Sequence, residues 1–344
     1  MEQLEHTLQL WIRKYFKHLP NAAVAVGVTG PEGRKVWTVN GTGISQSPGE
    51  NFRFEIGSIT KVFVASLLAV LVEEGRLKLT DTVADHVPEV NKHSPAAGVT
   101  LQQLSTHTSG LPRLPPNLKA TMTDKMNPYS DFTERDLLEA LNSGRKLYGS
   151  SYSYSNYGFG LLGYIVARTA GLPLVEAIRE RITAQLGMAK TGTEESFLHP
   201  VYSASGKPVK HWDMDALAGA GALRSTAGDL LLFLEANMGS DPAAEPLTSA
   251  FRLCHAEHPS SLIGMKIGLG WMNQTLENGR TILWHNGATY GSHSFLAFDP
   301  DTRTGVAVLV NHGVSLWRML GFSKLPADQI GRSVLLDMGT EALS

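Results

Sequence analysis

Residues 54–75 read FEIGSITKVFVASLLAVLVEEG. From Val62 to Val72 the run is almost entirely apolar, as in a helix buried on every side, and Gly75 is a helix stop signal. Eleven residues are too few to span a bilayer, so this is a core helix. Ser58 and Lys61 stand at its start, three positions apart and therefore on one face of a helix. A serine before an apolar run is a good N-cap, which is the plain reading of Ser58. The pair also fits a nucleophile with its base. A helix N-terminus offers free N–H groups and a positive dipole end to an oxyanion. A lysine sunk into an apolar helix gives up its proton and can then act as a base. The same spacing recurs in SGRK (143–146), where Gly144 and polar neighbours hold no geometry.

Outward from this helix, the upstream segments NAAVAVGVTG and RKVWTVNGTG are β-rich and joined by PEG, a hairpin signal. Before them, Leu4, Leu8, Trp11, Ile12 and Tyr15 mark an amphipathic surface helix. Downstream, from about Thr80 to Gly268, helical stretches alternate with loops rich in Pro, Gly, Ser and Asn. GLGWMNQ, RTILWHNG, SHSFLAFDP and TGVAVLVNH then return to β patterning, and SLWRMLGFSKLPADQIGRSVLLDMG reads as terminal helix. Strands at both ends and helices between them predict an α/β (α+β) fold. Its mostly antiparallel sheet is built from both termini and flanked by helices, with a largely helical region inserted. The expected units are 1–79 with 269–344 for the sheet and 80–268 for the helical region, with a site between them.

The chain has 344 residues, of which 42% are hydrophobic and 18% charged, with a formal net charge of -2. That composition is globular and gives no footprint for nucleic acid or an anionic membrane. A single cysteine, Cys254, allows no internal disulfide. The first twenty residues lack a basic region followed by an apolar one, so no secretory signal is visible and a cytoplasmic protein is expected.

Two further stretches carry candidate chemistry. SYSYSNYGFG (151–160) holds Tyr154-x-Asn156 in a loop before a helix, and WHNGATYGS (284–292) holds His285-x-Gly287 at a strand end. Each is by itself an ordinary turn sequence. In this order, S-x-x-K, Tyr-x-Asn and His-x-Gly resemble the three motifs of serine penicillin-recognising enzymes, and the tyrosine resembles the class C β-lactamase branch. That branch includes DD-peptidases, D-aminopeptidases and family VIII esterases. FRFEIGSITK, LSTHTSGLP and GLLGYIVARTAG are similar to the same branch, so the likeness runs from about Ala22 to His312.

The resemblance implies a β-lactamase/transpeptidase-like fold and a set of roles. Ser58 would be the acylated nucleophile, and Lys61 and Tyr154 would share proton transfer. Asn156 would hold Lys61 or the substrate, and the N–H groups of Ser58 and Ala288 would form the oxyanion hole beside Gly287. His285 stands where lysine is usual for holding a substrate carboxylate, and Asn286 stands where threonine is usual. Arg113 and Leu114 occupy the place of a glutamine that holds the substrate amide. These departures suit an esterase or peptidase that needs no carboxylate on its substrate, with a carboxylesterase as the leading expectation. The alternatives are a β-lactamase or D-Ala-D-Ala carboxypeptidase or D-aminopeptidase, and a penicillin-binding sensor that acylates without turnover. Small-molecule esters, amides or β-lactams are the expected partners, with no cofactor and no metal.

Other patterns fit chemistry less well. GFGLLG (158–163) matches G-x-G-x-x-G but follows no apolar strand, so its glycines are expected to serve close helix packing. HAEH (255–258) lacks a third metal ligand. No G-x-S-x-G occurs. His107 is expected to structure its loop.

Overall fold

The structure is a computed structural model and describes residues 2–19, 21–40, 43–45, 52–144, 146–240, 247–258, 265–276, 279–319 and 324–341. Helix α1 (Glu2–Phe16) leads into the hairpin of β1 (Val24–Gly30) and β2 (Gly33–Asn40), then β3 (Gly43–Ser45) and β4 (Phe54–Glu55). The hairpin turns on Gly33 at φ +100°, a conformation open to glycine. After a 3-10 turn (Gly57–Ile59) comes α2 (Thr60–Glu73). The middle of the chain supplies α3 (Val83–His86), α4 (Leu101–Ser105), α5 (Leu118–Thr121), α6 (Glu134–Asn142), α7 (Asn156–Ala170) and α8 (Leu174–Ile178). It continues through β5 (Val201–Tyr202), β6 (Pro208–Val209), a 3-10 turn (Ala218–Ala220), β7 (Arg224–Ser225), α9 (Ala227–Asn237) and α10 (Thr248–His255). The last part holds β8 (Met265–Ile267), β9 (Met272–Thr275), β10 (Thr281–Ala288), β11 (His293–Asp299), β12 (Thr304–Val310), α11 (Leu316–Met319) and α12 (Pro326–Glu341).

One antiparallel sheet has the order β3-β2-β1-β12-β11-β10-β9-β8. The join between the chain's two ends is β1 on β12, with Val26 opposite Val308. The sheet takes in β8, which lies within the range expected to be helical. Of the terminal helical run, residues 320–323 lie outside the described residues, as do 41–42 at the end of the first hairpin.

The sheet buries both faces, and strand alternation sorts them. Val24, Val26, Val28, Phe295, Val308 and Val310 pack with Leu8 of α1 and Ile330 and Val334 of α12. Ala25, Leu296, Phe298, Ala307 and Leu309 face the other core, with α2, α7, α9 and α10. Helix α2 lies within that second core, buried from Thr60 to Leu71, including Lys61. The period of two puts Leu283, His285 and Gly287 of β10 toward α2, and Trp284 and Asn286 toward α12.

Ser58 does not cap α2. It sits in the 3-10 turn, the residue at the N-cap of α2 is Ile59, and no side chain caps the helix. The serine hydroxyl is turned instead to Lys61. Among the described residues no single helix is long and apolar enough to cross a membrane.

Candidate active site

Ser58, Lys61, Tyr154 and Asn156 come together although they lie on two separate segments. Lys61 Nζ is 2.9 Å from Ser58 Oγ, 3.0 Å from Asn156 Oδ1 and 2.6 Å from the carbonyl oxygen of Ala220. Burial holds the Lys61 amine well below its usual range, and the nearby Arg113 charge adds to the effect. A neutral amine has two N–H bonds and one lone pair. The oxygens of Asn156 and Ala220 can only accept, so they take both N–H bonds. The lone pair is then left for the Ser58 hydroxyl, the arrangement a general base needs.

Asn156 is the first residue of α7, and the start of that helix is tied down locally. Ser155 at the N-cap accepts from Gly158 N at 2.8 Å and donates to the Pro112 carbonyl at 2.7 Å. The Arg113 carbonyl accepts from Asn156 N and Tyr157 N. Asn156 Nδ2 donates to the Tyr129 hydroxyl at 3.2 Å, which leaves its oxygen for Lys61. The Tyr154 ring lies 4.9 Å from Lys61 Nζ, and its hydroxyl is hydrogen-bonded to Ser58. Burial pushes the phenol up to about 12, so it carries its proton at neutral pH.

The end of β10 closes the site from the other side. Gly57 adopts φ +50°, and a Cβ there would lie 2.9 Å from Ala288 N. A Cβ on Gly287 would press into the Ile56 carbonyl and lie 2.9 Å from Ser58 N. Both backbones approach only because both residues lack a side chain. Ser294 Oγ donates to the Ile56 carbonyl at 2.8 Å, fixing the strand before Ser58 to β11.

A family model described as Beta-lactamase matches residues 8–320. The chain belongs to the β-lactamase family. It is 26% identical over 298 residues to a β-lactamase of Pseudomonas fluorescens, covering 76% of this chain and 80% of that protein. It is 28% identical over 289 residues to the D-alanyl-D-alanine-carboxypeptidase/endopeptidase AmpH of Escherichia coli K12, covering 76% of this chain and 73% of that protein. A class C β-lactamase structure superposes with a TM-score of 0.81 at 22% identity, covering 97% and 96% of the two chains. D-alanine carboxypeptidase AmpC from Burkholderia cenocepacia gives 0.78 at 24%, covering 96% and 99%. The two structural matches speak for the fold, and the family makes the chain a serine hydrolase.

In this β-lactamase-family protein the third-motif residue His285 is buried at 1% exposure, and its ring centre is 6.3 Å from that of Tyr154. Its Nδ1–H donates to the Asn286 carbonyl at 2.7 Å, because a carbonyl can only accept. That tautomer leaves Nε2 as a lone pair, buried and with no hydrogen-bond partner. Burial, with Lys61 second, pulls the imidazole down to about 3. Asn286, which stands where threonine is usual, faces away from the site. Its Nδ2 donates to both carboxylate oxygens of Asp328 on α12, at 3.2 and 3.0 Å, because it shares the parity of Trp284.

The guanidinium of Arg113 lies 5.2 Å from the Tyr154 ring centre, whereas Leu114 is 40% exposed beside it. GFGLLG is a packing motif. A Cβ on Gly163 would lie 2.8 Å from Gly219 Cα, and one on Gly160 would run into Leu217. These glycines let α7 dock against the Ala218–Ala220 turn, whose last carbonyl holds Lys61. The HAEH histidines are occupied separately: His255 Nε2 pairs with Asn237 Oδ1 and His258 Nδ1 with Gln102 Nε2. A cleft of about 340 Å³ between β2 and the start of α9 is lined by none of the site residues.

Two members of the site escaped the sequence reading. A backbone carbonyl such as that of Ala220 carries no side-chain signal. Tyr129 arrives from an irregular segment, and nothing near it in sequence points to Asn156.

Proposed function

We propose that this chain is a carboxylesterase that works through an acyl-enzyme on Ser58. The observation that carries the reading is the neutral, buried His285, whose Nε2 offers a lone pair and no charge. A substrate carboxylate finds no cation there, whereas an uncharged ester loses nothing. In acylation the Ser58 proton passes to Lys61 as Oγ bonds the carbonyl carbon. The oxyanion is held by the N–H groups of Ser58 and Ala288, for which the close approach of Gly57 and Gly287 is the support. The ester C–O bond then breaks, and the leaving alkoxide takes the Tyr154 proton, which Lys61 replaces. Water repeats the sequence in reverse, returning the acid and free Ser58.

A second reading, β-lactam or D-alanyl peptide cleavage, is favoured by what the relatives are named. The acylation machinery is common to both, so substrates decide. A panel of p-nitrophenyl esters, D-amino acid amides and cephalosporins, run on wild type and Ser58→Ala, should give the highest kcat/KM for an uncharged ester and none with the variant. A cephalosporin turned over faster than every ester would reverse the assignment.

A further inference from the structure

We propose that His107 is a positioning residue for Tyr154, retained at a backbone position better suited to glycine. His107 follows α4, where Thr108 N bonds the Gln103 carbonyl at 3.0 Å and His107 N reaches the Leu104 carbonyl at 3.5 Å. These are the two bonds of a Schellman motif, and His107 is its left-handed residue at φ 58°. Glycine adopts that conformation freely, whereas a residue with a Cβ is strained in it. The strain has a counterpart in what the side chain and carbonyl hold. The His107 carbonyl accepts from Ser153 N at 2.8 Å, and its Nδ1 accepts from Ser155 N at 3.1 Å. The ring lies against Tyr154 with centres 4.4 Å apart. One residue thus holds both chain neighbours of Tyr154 and one face of its ring.

Accepting at Nδ1 puts the imidazole proton on Nε2, which is buried with no partner. The ring touches Phe159 and Tyr152, with centres 4.9 and 5.8 Å away, so it is enclosed by aromatic groups. His107 therefore acts through Tyr154, not on the substrate.

The test follows the rate at which a p-nitrophenyl phosphonate modifies the enzyme, read as p-nitrophenolate release. The Ser58 Oγ–P bond forms, the P–O bond to the aryl group breaks, and the serine proton goes to the Lys61 side. This readout does not depend on the natural acyl group, so failure of the esterase reading would leave it intact. His107→Gly removes both side-chain holds and relieves the backbone. Measured on the folded variant below its unfolding transition, phosphonylation should fall about 10- to 100-fold. His107→Asn keeps an acceptor near Nδ1 and tolerates the left-handed conformation, so it should fall between the two. In a Tyr154→Phe background, His107→Gly should add less than about twofold, because the two changes remove one function. A His107→Gly or His107→Asn enzyme with wild-type rate, or an undiminished effect in the Tyr154→Phe background, would overturn the proposal.

Discussion

At the residue scale, burial moves two basic side chains near Ser58 toward their neutral forms, while the Arg113 guanidinium lies 5.2 Å from the Tyr154 ring centre. Burial is the first cause for both: it lowers the Lys61 amine well below its usual range and pulls the His285 imidazole down to about 3, so the imidazole is neutral at pH 7. For Lys61 this has a sign. The neutral amine is the active form, so kcat/KM falls as pH drops through the amine's depressed value. Arg113 is a like charge that helps depress it. Arg113→Gln should therefore move the acid limb to higher pH, by about half to one unit for a partly exposed charge. His285 stays neutral down to about 3, so His285→Gln should leave that limb where it is. A limb near the ordinary histidine value that vanished in His285→Gln would show the imidazole titrating after all. Lys61→Ala should lower kcat/KM about 10³-fold, within the range for losing a general base. His285→Lys should raise turnover of carboxylate-bearing substrates relative to uncharged esters. Most of these residues were legible because their side chains do chemistry and stand in recognisable company. Where Asn286 points was not legible, because a tripeptide pattern does not say which face of a strand each residue takes.

At the scale of elements, the Ala220 carbonyl that holds Lys61 is placed by the docking of α7 against the Ala218–Ala220 turn. That docking depends on glycines, and their spacing could be misread as a nucleotide fingerprint. Gly163→Ala puts a methyl 2.8 Å from Gly219 Cα. It should lower stability by about 1–3 kcal/mol through overpacking and lower kcat about 10-fold by shifting the Ala220 carbonyl. A urea melt and a rate measured below the transition separate the two effects. Wild-type kcat in the folded variant would mean that the turn does not position Lys61. Short, largely apolar runs bounded by turn residues, such as β1, β11 and β12, were evident from sequence. β8 was not, because three residues present no period to detect. Ser58 shows the opposite difficulty: its position in sequence fits both capping and pairing with Lys61, and the fold decides for the pairing.

At the scale of the whole molecule, the chain's ends meet in one sheet, and α12 braces the strand that carries the third motif. Asp328 of α12 is the brace, accepting from Asn286 and from Leu325 N at 3.2 Å. Burial raises its carboxyl from 3.8 to about 6, against the lowering effect of those hydrogen bonds. The folded state therefore binds more protons than the unfolded state between those two values, and stability from this group falls as pH rises through that window. The loss amounts to about 3 kcal/mol and is constant above it. Asp328→Asn should remove this contribution, so wild type should lose more stability than the variant between pH 4 and pH 6.5 in urea melts. Equal slopes would rule out an Asp328 titration. The closure of the sheet from both termini was legible because strands cluster at the two ends of the sequence. The brace was not, since a lone aspartate in a terminal helix carries no mark of its partner.

The central claim is that Ser58 carries the acyl group of an uncharged ester. Rapid acid quench of the enzyme with a p-nitrophenyl ester, followed by intact-mass and peptide analysis, tests it directly. A transient mass increase equal to the acyl group is expected, confined to the peptide containing Ser58 and absent in Ser58→Ala. An adduct on another residue, or ester turnover by Ser58→Ala at the wild-type rate, would contradict it.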